Sequence, residues 1–125
     1  MKLLLDSHAF LWWLSDDREL SEAARGAIAD PRNVIYVSAA TIWEIEIKRA
    51  LGRLDAGTAD FVTELEANRF AELPVRAAHA AVAARLPTHH GDPFDRMLIA
   101  QSQIDGLVCV TRDGAFEAYG VPVLW

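Results

Sequence analysis

Short continuous apolar runs alternate with amphipathic stretches along this chain, and that rhythm sets the first expectation. Lys2-Leu3-Leu4-Leu5 is a buried strand ending on Asp6, while His8-Ala9-Phe10-Leu11-Trp12-Trp13-Leu14 is too apolar for a surface loop and begins a helix. Ser15-Asp16-Asp17-Arg18 interrupts it. Ser21 then caps a second helix reaching Ala29, with Glu22 in its first turn and Pro31 beyond its end. Val34-Ile35-Tyr36-Val37 is β-branched and aromatic, hence a strand, and Ser38 directly after it is a helix N-cap. The third helix carries Ile42, Trp43, Ile45, Ile47 and Leu51 and stops at Gly52, a residue suited to the left-handed position past a helix end. A fourth helix is expected over roughly 58–68, a strand over Phe70 to Leu73 closed by Pro74, and a helix over the alanine-rich stretch 76–86 until Pro87.

After the loop Thr88-His89-His90-Gly91, the segment Asp92-Pro93-Phe94-Asp95 has the order of a helix opening. Asp92 is the cap, Pro93 stands where a missing N–H costs nothing, and Asp95 falls at the third helical position. That helix continues to Asp105 and ends at Gly106. Leu107 to Val110 is a further strand, closed by Thr111-Arg112-Asp113-Gly114, and Val121 to Leu124 is the last. Strands that are unbroken apolar runs, alternating with helices, belong to a sheet buried on both faces. The expected fold is a three-layer α/β/α sandwich on a mainly parallel central sheet.

Composition narrows the picture. The 125 residues contain no linker, repeat or low-complexity tract, so one domain over 1–125 is expected, and 52% hydrophobic residues suffice for its core. The single Cys109 lies in an apolar run, which reads as packing and disfavours disulfides and cysteine-based zinc sites. No run approaches the ~18 apolar residues of a membrane span. The apolar start Met1 to Leu5 is broken by Asp6 and His8 before a leader's apolar region could form, so a cytoplasmic protein is expected.

A net charge of −6, from 12 basic and 18 acidic residues, runs against the basic footprint usual for nucleic-acid binders. The acids themselves, however, can be the chemistry, with basic residues grouped locally: Lys48, Arg49 and Arg53 in one place, Arg96 and Arg112 in another.

Ligands of an open parallel sheet bind beyond the carboxyl ends of its strands. Asp6 stands immediately after the first strand and Asp113 shortly after Val110-Thr111, so neighbouring strands would aim both acids into one crevice. Each also suits an ordinary turn, Asp113 especially, since Gly114 follows it. On the third helix Trp43, Ile47, Ala50 and Leu51 form an apolar arc with Glu44 at its edge. Lys48, four residues on, could simply pair with it, but Ile42 and Ile45 leave little room for solvent. Glu46 lies on a different side. Asp92 is assigned to capping, which leaves Asp95 free to face the crevice. Four carboxylates from four segments (Asp6, Glu44, Asp95 and Asp113) would suit Mg²⁺, which prefers oxygen ligands and keeps several waters. Such an ion activates water for attack on phosphorus and neutralises charge on the phosphate. Ser7 could orient such a water or cap the first helix. His89 and His90, with His8 and His79, raise zinc, but no H-E-x-x-H and no cysteine set accompany them, and the His89-His90 loop reads as solvated or RNA-contacting.

These residues fall in four blocks: Leu-Leu-Leu-Asp-Ser-His-Ala at 3–9, Ser-Ala-Ala-Thr-Ile-Trp-Glu-Ile-Glu-Ile-Lys at 38–48, Gly-Asp-Pro-Phe-Asp-Arg-Met-Leu-Ile-Ala-Gln at 91–101 and Val-Thr-Arg-Asp at 110–113. In that order the chain resembles the PIN-domain proteins, and more narrowly the VapC toxins of bacterial toxin–antitoxin modules. The resemblance spans nearly the whole chain and is most specific around Asp-Pro-Phe-Asp-Arg. It implies an endoribonuclease using Mg²⁺ or Mn²⁺, inhibited by a cognate antitoxin and usually dimeric, with the family's four acids at Asp6, Glu44, Asp95 and Asp113. Rival readings fit less well. A haloacid-dehalogenase-like phosphatase would want a second Asp where His8 stands, and a receiver-type signalling domain would want an acidic pair after the first strand. A binding module with structural carboxylates, docking a partner on Phe10 to Leu14, is the non-enzymatic alternative.

Overall fold

The computed structural model describes residues 1–125. Five short strands form one parallel sheet in the order β3-β2-β1-β4-β5, comprising β1 (Lys2–Leu5), β2 (Val34–Ser38), β3 (Ala71–Leu73), β4 (Val108–Val110) and β5 (Val123–Leu124). Leu5 is in register with Val37 on one side and Val110 on the other. Side chains alternate across a strand, and β1 at the centre shows why its run must be wholly apolar. Leu3 and Leu5 enter one core, Leu4 enters the other, and all three are fully buried.

The first core packs α1 (Ser7–Leu14), α2 (Glu22–Ala29), α3 (Ala39–Ala50) and α4 (Phe61–Ala67) onto the sheet through Phe10, Ile28, Ile45 and Phe61. On the opposite face α5 (Ala77–Arg85), α6 (Pro93–Asp105) and a 3₁₀ helix (Gly114–Tyr119) cover Leu4 and Cys109 with Leu98, Ile99 and Phe116. The three-layer α/β/α sandwich is therefore present, with every strand pair parallel. No helix is long and apolar enough to cross a membrane.

Local signals explain most boundaries. Ser21 and Ser38 cap α2 and α3 by accepting from Ala24 N and Ala40 N at 3.1 and 3.0 Å. Gly52 and Gly106 occupy the left-handed region at φ +69° and +67°, ending α3 and α6 where other side chains would be strained. The fourth helix is shorter than its pattern suggested because Asp60 takes the cap, accepting from Val62 N and Thr63 N. The turn at Asp113-Gly114 winds on into the 3₁₀ helix, for which the pattern gives no signal.

One expectation is reversed. The arc Trp43, Ile47, Ala50 and Leu51 is not the packed side of α3, for Trp43 and Leu51 are 64% and 62% exposed. The buried face is Ala40, Thr41, Glu44 and Ile45. Hydrophobicity alone chose the wrong stripe, because the true one includes a hydroxyl and a carboxylate.

Phe10 is fully buried, and its ring meets those of Phe61 and Phe70 at 6.2 Å, tying α1 to α4. Phe10→Ala should cost about 3–5 kcal/mol of unfolding free energy, measured by urea denaturation. A change well under 1 kcal/mol would mean this cluster does not hold α1 in place.

Candidate functional site

Parallel strands bring their carboxyl ends to one edge of the sheet, and the strand order reverses direction between β1 and β4. Asp6 leaves β1 there, its N–H donating to Val110 O at 3.2 Å, and Asp113 follows β4. Asp95 arrives from the first turn of α6 and Glu44 from the buried face of α3. All four line a single crevice of about 270 Å³, together with Ser7, His8, Trp12, Lys48, Asp92 and Arg112. Residues separated by more than a hundred positions thus meet as the strand pattern required.

Each acid has its own anchor. Asp6, 7% exposed, caps α1 by accepting from Ala9 N at 2.8 Å. Ser7, proposed as a possible cap, is instead the first residue of that helix, buried against the crevice. Burial pushes the Asp6 carboxyl above its ordinary range; the Thr111 hydroxyl and the Ala9 amide oppose this, and the Asp113 charge adds to it. Glu44 is 4% exposed and accepts from Lys48 Nζ at 2.8 Å, so it lies within the packed face and not at its margin. Glu46 is exposed on another side and pairs with Arg49.

Asp92 caps α6, accepting from Phe94 N at 2.8 Å and Asp95 N at 3.0 Å, as its position foretold. Asp95 is consequently free to face the crevice. Burial first, and then the charge of Asp92, push its carboxyl up to about 7, with Asp6 and Glu44 adding and His90 opposing. Asp113 caps the 3₁₀ helix through Oδ1, which accepts from Ala115 N at 2.9 Å.

His90 is the residue that sequence reasoning misplaced. Its side chain is only 16% exposed and not solvated: its Nε2 lies 2.9 Å from Asp95 Oδ2 and 2.9 Å from Asp113 Oδ2. One ligand atom from each of His90, Asp95 and Asp113 falls within 4.8 Å of the others. The only hint in the sequence was proximity, with His90 two residues ahead of the Asp92 cap, and no spacing rule attaches to that. The other histidines are scattered. His8 stacks on Trp12, His79 is buried against Asp105, and His89 meets Tyr119, so the four do not converge on zinc.

The expected basic groups are also redistributed. Lys48 and Arg112 reach the crevice, Arg112 pairing with Glu19 at 2.6 Å and lying 4.6 Å over the Trp12 ring. Arg96 does not join Arg112, because it spends its guanidinium on the carbonyls of Ala83, Leu86, Pro87 and His90. Arg49 is tied to Ala59 O and Glu46.

The chain matches the PIN domain family over residues 3–122. It is 32% identical over 124 residues to Ribonuclease VapC22 of Mycobacterium tuberculosis, covering 96% of this chain and 93% of that protein. Among solved structures, FitAcB from Neisseria gonorrhoeae is similar at 25% identity and TM-score 0.62, covering 97% of this chain and 95% of that one. VapBC2 from Rickettsia felis, bound to a DNA fragment from its promoter, reaches TM-score 0.69 at 10% identity, covering 98% and 97%, a likeness of fold.

The Asp95 carboxyl gives the site a pH signature. Raised from 3.8 to about 7, it keeps its proton in the folded, metal-free protein at pH values where the unfolded chain has lost it. Its contribution to stability is therefore complete below the unfolded value and declines as pH rises through about 7. Thermal unfolding in EDTA across that range should show the decline, and Asp95→Asn should flatten it. An unchanged slope in the variant would locate the effect elsewhere.

Proposed function

The chain belongs to the PIN-domain family, and we propose that within it this protein is a VapC-type toxin: an endoribonuclease that uses Mg²⁺, with Mn²⁺ as a substitute, and is held in check by a cognate antitoxin. The observation that carries this reading is the meeting of Asp6, Glu44, Asp95 and Asp113, from four separate segments, in one crevice. Such a gathering of like charge is costly without a cation. The donors are hard oxygens, the set that Mg²⁺ and Mn²⁺ prefer.

Asp6, Glu44, Asp95 and Asp113 would hold the ion. When bound, a divalent cation supplies Lewis acidity at the scissile phosphate and makes water a competent nucleophile near neutral pH. The chain's own residues do the rest. Lys48 and Arg112, both partly exposed at the rim, can exchange their present carboxylate partners for phosphate oxygens and so orient an RNA backbone. Trp12 lines the same crevice, with His8 stacked on its ring and the Arg112 guanidinium over it. No protein nucleophile is needed.

RNA cleavage should stop in EDTA and return with Mg²⁺ or Mn²⁺, and full activity in metal-free buffer would refute the mechanism. Asp6→Asn tests the residue assignment without breaking the helix, because Asn caps as well as Asp. Cleavage should fall at least about a hundredfold, since even groups one step removed from a metal are worth 10–100-fold. Thermal stability should hold or rise, because a desolvated carboxylate has been removed. Unfolding alongside the lost activity would assign Asp6 a structural role only.

The antitoxin reading rests on a second groove, of about 430 Å³, lined by Leu11, Trp12, Leu14, Leu54, Ala56 and Phe61. It shares His8 and Trp12 with the acidic crevice. An antitoxin segment with apolar side chains in this groove could place a basic side chain among the acids. We assign the family's usual homodimer to the apolar surface around Trp43, Phe94 and Met97. If the antitoxin competes with the cation, its affinity must fall as Mg²⁺ rises. Titrating the product of the neighbouring small reading frame at several Mg²⁺ concentrations measures this. Metal-independent affinity would exclude displacement, and absence of binding would exclude that protein as the antitoxin.

A further inference from the structure

The loop between α5 and α6 is fastened by two side chains, Arg96 and Tyr119. Arg96 donates to the carbonyls of Leu86 at 2.7 Å, Pro87 at 2.9 Å and His90 at 3.1 Å. Tyr119 Oη accepts from His90 N at 2.7 Å and donates to Pro87 O at 2.7 Å. Both backbone groups of His90 are therefore held, one from α6 and one from the 3₁₀ helix.

The imidazole is held as firmly. Its Nδ1 accepts from Asp92 N at 3.1 Å. A nitrogen that accepts carries no hydrogen, so in the neutral ring the proton is on Nε2. That N–H donates to Asp113 Oδ2 at 2.9 Å, and Asp95 Oδ2 lies 2.9 Å from the same nitrogen as an electrostatic contact off the N–H direction, while the ring stands edge-on to Phe116. Asp95 and Asp113 come from different elements, the first turn of α6 and the cap of the 3₁₀ helix. The His90 ring nitrogen is the one group in contact with both of their Oδ2 atoms.

We propose that His90 is a positioning residue, whose Nε2–H holds Asp113 by a hydrogen bond and whose ring edge keeps Asp95 close beside it, in the arrangement that receives the cation, and that it is not itself a metal ligand. The inference rests on the nuclease reading of the crevice. Ligation through Nε2 would require the proton to move to Nδ1, where it would meet the Asp92 N–H across the 3.1 Å gap. Nor does the N–H exclude the ion. A carboxylate oxygen has two lone pairs, and the hydrogen bond takes only one of those on Asp113 Oδ2.

The test uses Mn²⁺ as probe and the intact protein. Affinity is measured by calorimetry or EPR for wild type, His90→Ala and His90→Gln, and electron spin-echo modulation reports any nitrogen bound to Mn²⁺. His90→Ala should weaken Mn²⁺ binding about 10–100-fold, the usual cost of losing a group that orients a ligand. His90→Gln, whose amide N–H reaches about as far as Nε2, should recover most of it, which a merely structural role would not explain. Wild-type Mn²⁺ protein should show no directly bound imidazole nitrogen; this spectrum needs no variant to fold. A bound nitrogen that disappears in His90→Gln would overturn the proposal in favour of ligation. Binding in His90→Ala equal to or tighter than wild type would overturn it as well. Mn²⁺ binding that follows the expected pattern without RNA cleavage would refute the nuclease reading and leave the positioning role standing. A wild-type protein that binds no Mn²⁺ would overturn both.

Discussion

Mutual repulsion among carboxylates is the constraint on which the rest of this structure depends. Five acids (Asp6, Glu44, Asp92, Asp95 and Asp113) line a crevice of about 270 Å³ in which only Lys48 and Arg112 carry fixed positive charge. Unanchored side chains would swing apart into water. Here three of them are helix caps: Asp6 on α1, Asp92 on α6 and Asp113 on the 3₁₀ helix. A cap binds the free N–H groups of a first turn, where the aligned peptide dipoles also favour negative charge. The hydrogen bonds that start these helices thus immobilise the acids. Glu44 and Asp95 are the exceptions, one lying inside a helix and the other in a first turn whose amides Asp92 already takes. Each is met by a side-chain nitrogen instead, Lys48 donating to Glu44 and His90 Nε2 lying 2.9 Å from Asp95 Oδ2.

This division explains what could be read in advance. Strand ends and helix starts have strong local signatures, so Asp6, Asp95 and Asp113 could be placed from apolar runs, Pro93 and the turn at Gly114. The parallel sandwich followed from the same runs, with errors confined to a few terminal residues and the unforeseen 3₁₀ helix. Glu44 is legible only in part: the apolar arc around Trp43 points to a buried stripe with Glu44 at its edge, yet the packed face contains Glu44 itself. A polar group within a core face defeats any reading based on hydrophobicity, and function is the usual reason for putting one there. His90 and Arg96 were misassigned because their partners are contributed by tertiary packing. A loop histidine gives no local sign that two aspartates will converge on it, and an arginine gives none that four carbonyls will consume it.

The overall charge of −6 is less of an obstacle to a polyanionic substrate than it first looks. Several acids lie outside the crevice and are already paired, Asp30 with Arg32 and Asp16 with Arg25. The crevice acids are different, because burial and mutual charge raise Asp6 and Asp95 above their ordinary values. A site that resists full ionisation when empty carries less negative charge than its formula suggests. Under the proposed nuclease role, a divalent cation would both complete the ionisation and offset most of the negative field that an RNA would meet.

Trp12 links the two recesses of the molecule. Its ring borders the acidic crevice and also the apolar groove, stacks on His8 at 5.2 Å, meets Trp125 at 5.9 Å and carries the Arg112 guanidinium. Trp13, one position on and about 100° around the helix, turns inward to donate to Asn68 Oδ1 and pack on Phe70. The paired tryptophans therefore divide the work, one fastening α1 and the other forming a shared wall. A chain settling in the apolar groove would bury one side of that wall and limit how Arg112 can lie on the other. Under the proposed roles, restraint by a partner need not place every contact in the metal site. Part of it can act through Arg112, the cation that would otherwise meet the RNA backbone.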